Sequence, residues 1–520
     1  MKWSRVCVLG GLLALLSFIH AGPAIAASER HAFFVSDLHV GVGKDEAGNW
    51  KRFEDFRWQH DFNAFLDMVS ERSGDRADLV LVGDIFELWQ SPHLECSSDL
   101  GQAGCKPADC HDKDTDLGCS EAEAVERLRY VLAQHPGFIE AMRRFSSKGS
   151  NRVVFVPGNH DAALLFPSVA KLLLGQFGEA RVRVADVGYW LSDDGQIYAD
   201  HGHQFDEVNK FPDWPRPFRH NAGRDHLVRP WGENMVQQFY NQYESVFPII
   251  DNLSDEKAGV SFAVRQAGFP DTAAAVRRFF RFYLFQQSLR QAADSLGPDG
   301  HPKWNYDTVR SEGVDFFMDV MVGTKEWHVP VENLRPRPVD GFAPAELGRM
   351  EIDALCMAKE KIEGARRCRR VSDSLSAVVV GLTTTPGQRL AAYLRSTLPR
   401  VAPPGHSVAS VYIFGHTHAA ALPSLIALGD MQYGSIDVVA ANTGAFQRIA
   451  TPNQIDAILR QPGQGGKRPL DLRPEDLPAC YTFVWIAPYA AKRRPAPQVQ
   501  RWSRTKEILT AQEGTCSSVE

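Results

Sequence analysis

The chain carries no surplus of positive charge. Its 57 Lys and Arg residues are outweighed by 63 Asp and Glu, for a formal net charge of −6. Nothing in that balance offers to neutralise the phosphates of a duplex, so no nucleic-acid partner is expected. Long apolar runs are also missing beyond the first 26 residues, and a membrane span needs roughly 20 apolar residues in a row. The processed chain is therefore read as having no transmembrane segment. Nine cysteines are present, but none stands in a C-x-x-C knuckle, which leaves structural zinc without its usual spacing. No internal repeat is evident, so the 520 residues read as two or three domains' worth of ordinary globular material rather than a repeat array.

What is there begins with "MKWSRVCVLGGLLALLSFIHAGPAIAA". Lys2 and Arg5 precede an apolar run from Val6 to Ile19, followed by Ala24-Ile25-Ala26. A basic start, a short apolar core and an A-x-A site make a secretory signal. Residues 1–26 are read as that signal, and the protein as exported, periplasmic or secreted. Removing Cys7 leaves eight cysteines. Cys96, Cys105, Cys110 and Cys119 cluster, Cys356 precedes Cys368, and Cys480 precedes Cys516. In an oxidising compartment these read as disulfides.

Short buried strands recur along the rest. "RHAFFV", "ADLVLV" and "NRVVFV" come early and "VASVYIF", "IDVVAAN" and "YTFVWIAP" late. Helical spacing fills 53–72 and 121–147, the latter broken near Pro136, and a hairpin turns at Asp194-Gly195. This alternation predicts an α/β fold with a mixed sheet or two packed sheets. Polar residues gather at the carboxyl ends of the strands, where open α/β sheets build ligand sites. They are Asp37 and His39 in "SDLH", Asp84 in "VGD", Asn159 and His160 in "PGNHD", His201 and His203 in "DHGH", and His416 and His418 in "FGHTH". Each fragment alone has a plain reading as a turn, a cap or a surface pair. Together, five strand ends that each deliver a carboxylate, amide or imidazole are costly to bury unless something satisfies them. A pair of divalent cations would do so, and oxygen ligands beside imidazoles suit Mn, Fe or Zn.

The ordered series D-x-H, G-D, G-N-H-D, H-G-H and G-H-x-H resembles the calcineurin-like metallophosphoesterase superfamily, over residues 33–203 and 411–446. The resemblance implies a four-layer α/β/β/α sandwich with two metal ions at the strand ends. It implies Asp37, His39 and His418 on the first ion, Asn159, His201 and His416 on the second, and Asp84 bridging them. It also implies His160 beside the leaving group, with Asp161 orienting its ring. The expected chemistry is hydrolysis of a phosphate ester or pyrophosphate by a metal-activated water, on a small-molecule or lipid-linked substrate. A binding or scaffold protein on the same fold is the alternative; it would show missing ligands, and the set is complete. Local details, "SDLHVG", "GDIFELW", "HGHQFD" and "ANTGAF", look most like the branch containing UDP-diacylglucosamine pyrophosphatases. Those enzymes carry arginine where this chain has His160 and work in the cytoplasm, so the branch's substrate is not carried over.

The domain reading follows. Residues 30–210 and 405–490 form the two parts of the core, with a disulfide-rich loop at 91–119. Residues 211–404 form a mostly helical insertion and candidate lid, and 491–520 a loosely packed tail. Within "DKDTDLGCSEAE", Asp112, Asp114, Asp116 and Glu123 match the acidic spacing of a calcium loop. Leu117 stands where the turn glycine belongs, so a solvated acidic loop is the simpler reading. The sequence leaves the oligomeric state open.

Overall fold

The computed structural model describes residues 29–51, 54–90, 117–178, 180–206, 209–221, 223–230, 386–404, 407–431, 434–461, 471–490, 493–504 and 508–510, with isolated positions between 232 and 252. The signal sequence, most of the cysteine-rich loop, Asp112, Asp114, Asp116 and residues 253–385 of the expected insertion lie outside them.

The first sheet is built on β1 (His31–Val35), β2 (Ala77–Val82), β4 (Arg152–Val156) and β5 (Val182–Val184), which run parallel. β14 (Ala479–Ile486) pairs antiparallel with β1 and with β13 (Phe446–Arg448). β15 (Gln498–Trp502) and β16 (Ile508–Thr510) complete that edge. Every central strand alternates. Phe33, Val35, Leu79, Leu81, Val153 and Phe155 join one buried cluster, and Ala32, Phe34, Val80, Val82, Val154 and Val156 another. A strand's side chains point to opposite faces in turn, so an unbroken apolar run means that both faces are covered.

One face is covered by helices: α1 (Gln59–Ser73), α2 (Glu121–Gln134), α3 (Pro136–Ser147) and α4 (Pro167–Leu174). They bring Phe62, Phe65, Leu128, Phe138, Met142 and Val169 to that side. Ser120 caps α2 and Pro136 opens α3, which explains the break foreseen there. The other face meets the second sheet: β6 (Trp190–Leu191), β7 (Ile197–Ala199), β10 (Val411–Phe414), β11 (Ala421–Met431) and β12 (Gly434–Asn442), in the order β11-β12-β10-β7-β6. Ile197, Ala199, Val411, Ile413 and Ala441 share the cluster of Phe34 and Val80. Tyr198, Tyr412 and Phe414 point the opposite way, onto Leu390, Leu394 and Leu398 of α5 (Pro386–Val401). The chain is thus a mixed α/β protein of several sheets and helices.

A third, small sheet joins β3 (Leu117–Ser120) to the hairpin of β8 (Phe218–Asn221) and β9 (Arg224–Val228). The described entry to the expected insertion is therefore a hairpin, and its described exit is a helix packed on the second sheet.

Three expectations are corrected here. The described part of the tail is not loose: β15 and β16 extend the first sheet, and Val499 and Trp502 are buried. Cys119 is a free, buried thiol, since β3 seals it inside the fold; burial holds its pKa well above the usual thiol value. Glu123, which a calcium loop would need, is buried and ion-paired with Arg127 one helical turn on. Cys480 is disulfide-bonded, its partner lying outside the described residues. No helix among the described residues is long and apolar enough to cross a membrane.

Candidate metal centre

The site follows from strand register. Val35 pairs with Leu81, and Val82 with Val156, so the chains leaving β1, β2 and β4 emerge side by side. Asp37 and His39 then donate backbone N–H to Gly83 and Asp84 across the gap. On the second sheet Ile413 pairs with Ala199, which sets His201 beside Gly415 and the histidines that follow it.

The backbone there is unusual. Asp37, His39, Asp84, His416 and His418 all have φ between 49° and 72°, and Asp75 is the one other non-glycine residue with positive φ among those described. A left-handed residue other than glycine costs about 1–2 kcal/mol. Five of them at the expected ligand positions mean that the fold tolerates strain to aim these side chains inward. The motif glycines serve the same convergence. A Cβ on Gly83, itself at φ 84°, would run into the His201 ring, and one on Gly158 into the Asp84 carboxylate.

Three sets of donor atoms result among the described residues. Asp37, His39 and His418 form the first, Asp84, His201 and His416 the second, and His39, Glu87 and His160 a third that shares His39 with the first. In the first, His39 Nδ1 bonds Glu87 at 2.9 Å, and its Nε2 faces His418 Nε2 at 3.2 Å. Asp37 Oδ2 accepts from Ser36 Oγ and the His416 amide, while Oδ1, 3.4 Å from His418 Nε2, has no hydrogen bond of good geometry. In the second, His201 Nδ1 bonds the Val82 carbonyl at 2.8 Å, and Nε2 lies 2.9 Å from Asp84 Oδ2, again without hydrogen-bond geometry. His416 Nε2 bonds Asp206 at 2.8 Å. These two sets adjoin, because Asp37 Oδ1 is 3.9 Å from His201 Nε2. Asn159 Oδ1 is buried without a hydrogen-bond partner, and both neighbours of Asn159 touch Asp84. His201 thus has one ring nitrogen held from behind and the other turned toward a carboxylate, while His39 and His416 each have one ring nitrogen held by a carboxylate. Lone pairs and carboxylates that converge in a buried space without bonding one another fit divalent cations well.

Charge agrees with that fit. Burial would raise the carboxyl pKa values, yet the imidazoles around Asp84, His201 foremost, hold it well below the ordinary range. Burial likewise opposes Glu87, but His160 and His39 hold it down to about 2.

His160 stands beside the first set, its ring 4.7 Å from that of His39 and stacked on Trp89 at 4.0 Å. Asp161 was expected to orient this ring, but its described hydrogen bonds go elsewhere. Its carboxylate accepts from the backbone amides of Gly158, Ile85 and Phe86, fastening the Asp84 loop to the Asn159 loop. Burial and the Asp84 charge push its pKa up to about 6. Glu87 holds the ring instead: Oε2 meets His160 Nδ1 at 2.6 Å as well as His39 Nδ1, while Oε1 takes the amides of Trp89 and Gln90. Sequence reasoning missed Glu87 and Asp206. Both stand three residues past a motif position, Glu87 after Asp84 and Asp206 after His203, and that offset is the signal that was available.

Strand-end carboxylates and imidazoles thus converge between two sheets in groups that could hold metal ions. Residues 31–246 match the family model described as calcineurin-like phosphoesterase, and the chain carries a domain of that family. The match ends before His416 and His418, which the second sheet returns to the same site. No curated protein and no solved structure matches the chain.

Proposed function

We propose that the protein is an exported metal-dependent phosphoesterase that hydrolyses a phosphate ester or pyrophosphate. The observation that carries this reading is the meeting of two donor sets, on strained left-handed backbone, beside one braced histidine. Asp37, His39 and His418 would hold one divalent ion, Asn159, His201 and His416 a second, and Asp84 would bridge them, with Mn, Fe or Zn suiting these donors. Such a pair, when bound, activates water and offsets charge on the phosphoryl oxygens.

The chain's own contribution is orientation and proton delivery. Glu87 accepts the Nδ1 proton of His160, and a ring held this way in its doubly protonated form would turn an Nε2–H, on its far edge, to the leaving oxygen. Trp89 resists rotation of that ring, and the backbone bonds of Asp161 keep its loop in register with Asp84. His160 then donates a hydrogen bond or a proton as the ester bond breaks. The helical and sheet clusters described above support a four-layer α/β/β/α arrangement of the core. The signal at 1–26 supports export, and the position of 211–404 between His203 and His416 supports a lid role.

The test is metal analysis of the processed protein together with turnover of aryl and alkyl monoesters, a diester and a pyrophosphate under Mn, Zn and Mg. Two ions per chain with hydrolysis of at least one substrate class is the expected result. Two ions without any hydrolysis would make this a binding protein on a phosphoesterase fold.

A further inference from the structure

Asp206 is not a member of any of these donor sets, yet it reaches one of them. Its Oδ2 accepts from His416 Nε2 at 2.8 Å and from Asn209 Nδ2 at 2.7 Å. Its backbone carbonyl takes the amides of Asn209 and Lys210, and its own amide bonds the His203 carbonyl. Gln204 closes the same turn with two bonds to the backbone of Phe211. We propose that Asp206 is a positioning residue that couples the second metal ion to the seating of the turn formed by 203–206 and 209–211. The proposal rests on the two-metal reading above.

The argument is one of tautomers. An imidazole that gives its Nε2 proton to a carboxylate keeps its lone pair on Nδ1, the nitrogen left for an ion. His39 is braced the opposite way, through Nδ1, by the deeply buried Glu87. His201 is braced by a carbonyl of β2 inside the core. For His416 the brace comes from the short turn that follows His203. Asp206 is also the more exposed brace, at 24% against 2% for Glu87.

The same turn carries a cost. His203 is buried against Trp214 and Phe211, and neither of its ring nitrogens has a hydrogen bond. A buried imidazole without partners weakens the seat it occupies. The bond from Asp206 to His416 therefore counts for more, and an ion on Nδ1 strengthens that bond by polarising the ring. Coupling of this kind must act in both directions. Metal should settle the turn, and loosening the turn should release metal.

Two measurements test it on the full processed chain. Stepwise titration with Mn or Zn should show two ions in the wild type. In Asp206→Asn the second ion should be weakened about 10–100-fold, the usual weight of an outer-shell carboxylate, with the first ion unchanged. Asn209→Ala, which loosens Asp206 without removing it, should shift the second ion in the same direction by less. Hydrogen exchange should slow on metal loading at the amides of Phe205, Asp206, Asn209 and Lys210, and Asp206→Asn should abolish that slowing. If both ions bind Asp206→Asn within about twofold of wild type, or exchange across the turn ignores metal, the proposal is overturned while the two-metal reading stands. A wild type that holds fewer than two ions overturns both.

Discussion

The two halves of the centre are built alike and braced unlike. Each takes side chains from both sheets: Asp37 and His39 with His418 in one, Asp84 with His201 and His416 in the other. The first is buttressed by Glu87, a carboxylate sealed in the core and anchored to two backbone amides. The second leans on Asp206, a quarter exposed and carried on a turn. The lesson is that the brace of the first half belongs to the core, while that of the second sits on a partly exposed turn. On the proposed two-ion reading, unequal affinity for the two ions is expected.

The largest expected effect erases the comparison. Asp84 lies with the second set, and its charge is coupled to Asp37 in the first. Asp84→Asn should weaken both ions together and lower turnover by about 10³-fold or more, the scale of losing metal charge stabilisation. Loss of the second ion alone, read by metal analysis, would show that Asp84 serves only one half.

His160→Ala should leave both halves intact. Retention of two ions with a loss of about 10²–10⁴ in turnover is the mark of a lost general acid. The loss should shrink for a nitrophenolate leaving group and grow for an alkyl ester. Equal slowing of both substrates would remove the acid role and leave only the metal assignment.

Glu87→Gln sharpens the comparison from the other side. One carboxylate oxygen serves two imidazoles, and an amide oxygen does so more weakly. A fall of about 10–100-fold is expected, shared between first-ion affinity and turnover. In a His160→Ala background, the turnover part should largely vanish, because two residues acting through one group are not additive. Full additivity would mean that Glu87 acts elsewhere.

Much of this centre was legible in the sequence, for a physical reason. A strand covered on both faces writes itself as an apolar run, and whatever follows that run lies at its end. Asp37, Asp84, Asn159, His160, His201, His416 and His418 were found that way. Which side chains then meet is set by loop curvature, and spacing does not record it. Asp161 follows His160 directly, yet adjacent residues point apart, and its carboxylate turned to the amides of Ile85 and Phe86. The left-handed φ of Asp84 bends the chain so that Glu87 returns to the histidines. The tail was misjudged because "QVQRW" buries only Val499 and Trp502, too few apolar residues to announce a strand.

The smallest expected effect lies behind His201. Asp200, buried one residue before it, accepts the hydroxyls of Tyr198 at 2.7 Å and Tyr412 at 2.6 Å, and that of Tyr393 from α5. Burial raises its pKa even with three phenols in place. These bonds tie α5, the described element that follows residue 385, to the strand that delivers a second-half ligand. Tyr393→Phe removes one donor and leaves two, so the carboxylate stays satisfied and the cost should be about 1 kcal/mol, as for a typical single hydrogen bond. Urea unfolding of metal-free protein would read that cost as a lowered midpoint. The halves should respond unequally once more: second-ion affinity falling a few-fold, first-ion affinity unmoved. An equal loss at both ions would place Asp200 in the general packing of the second sheet, and the inequality would then rest on Asp206 alone.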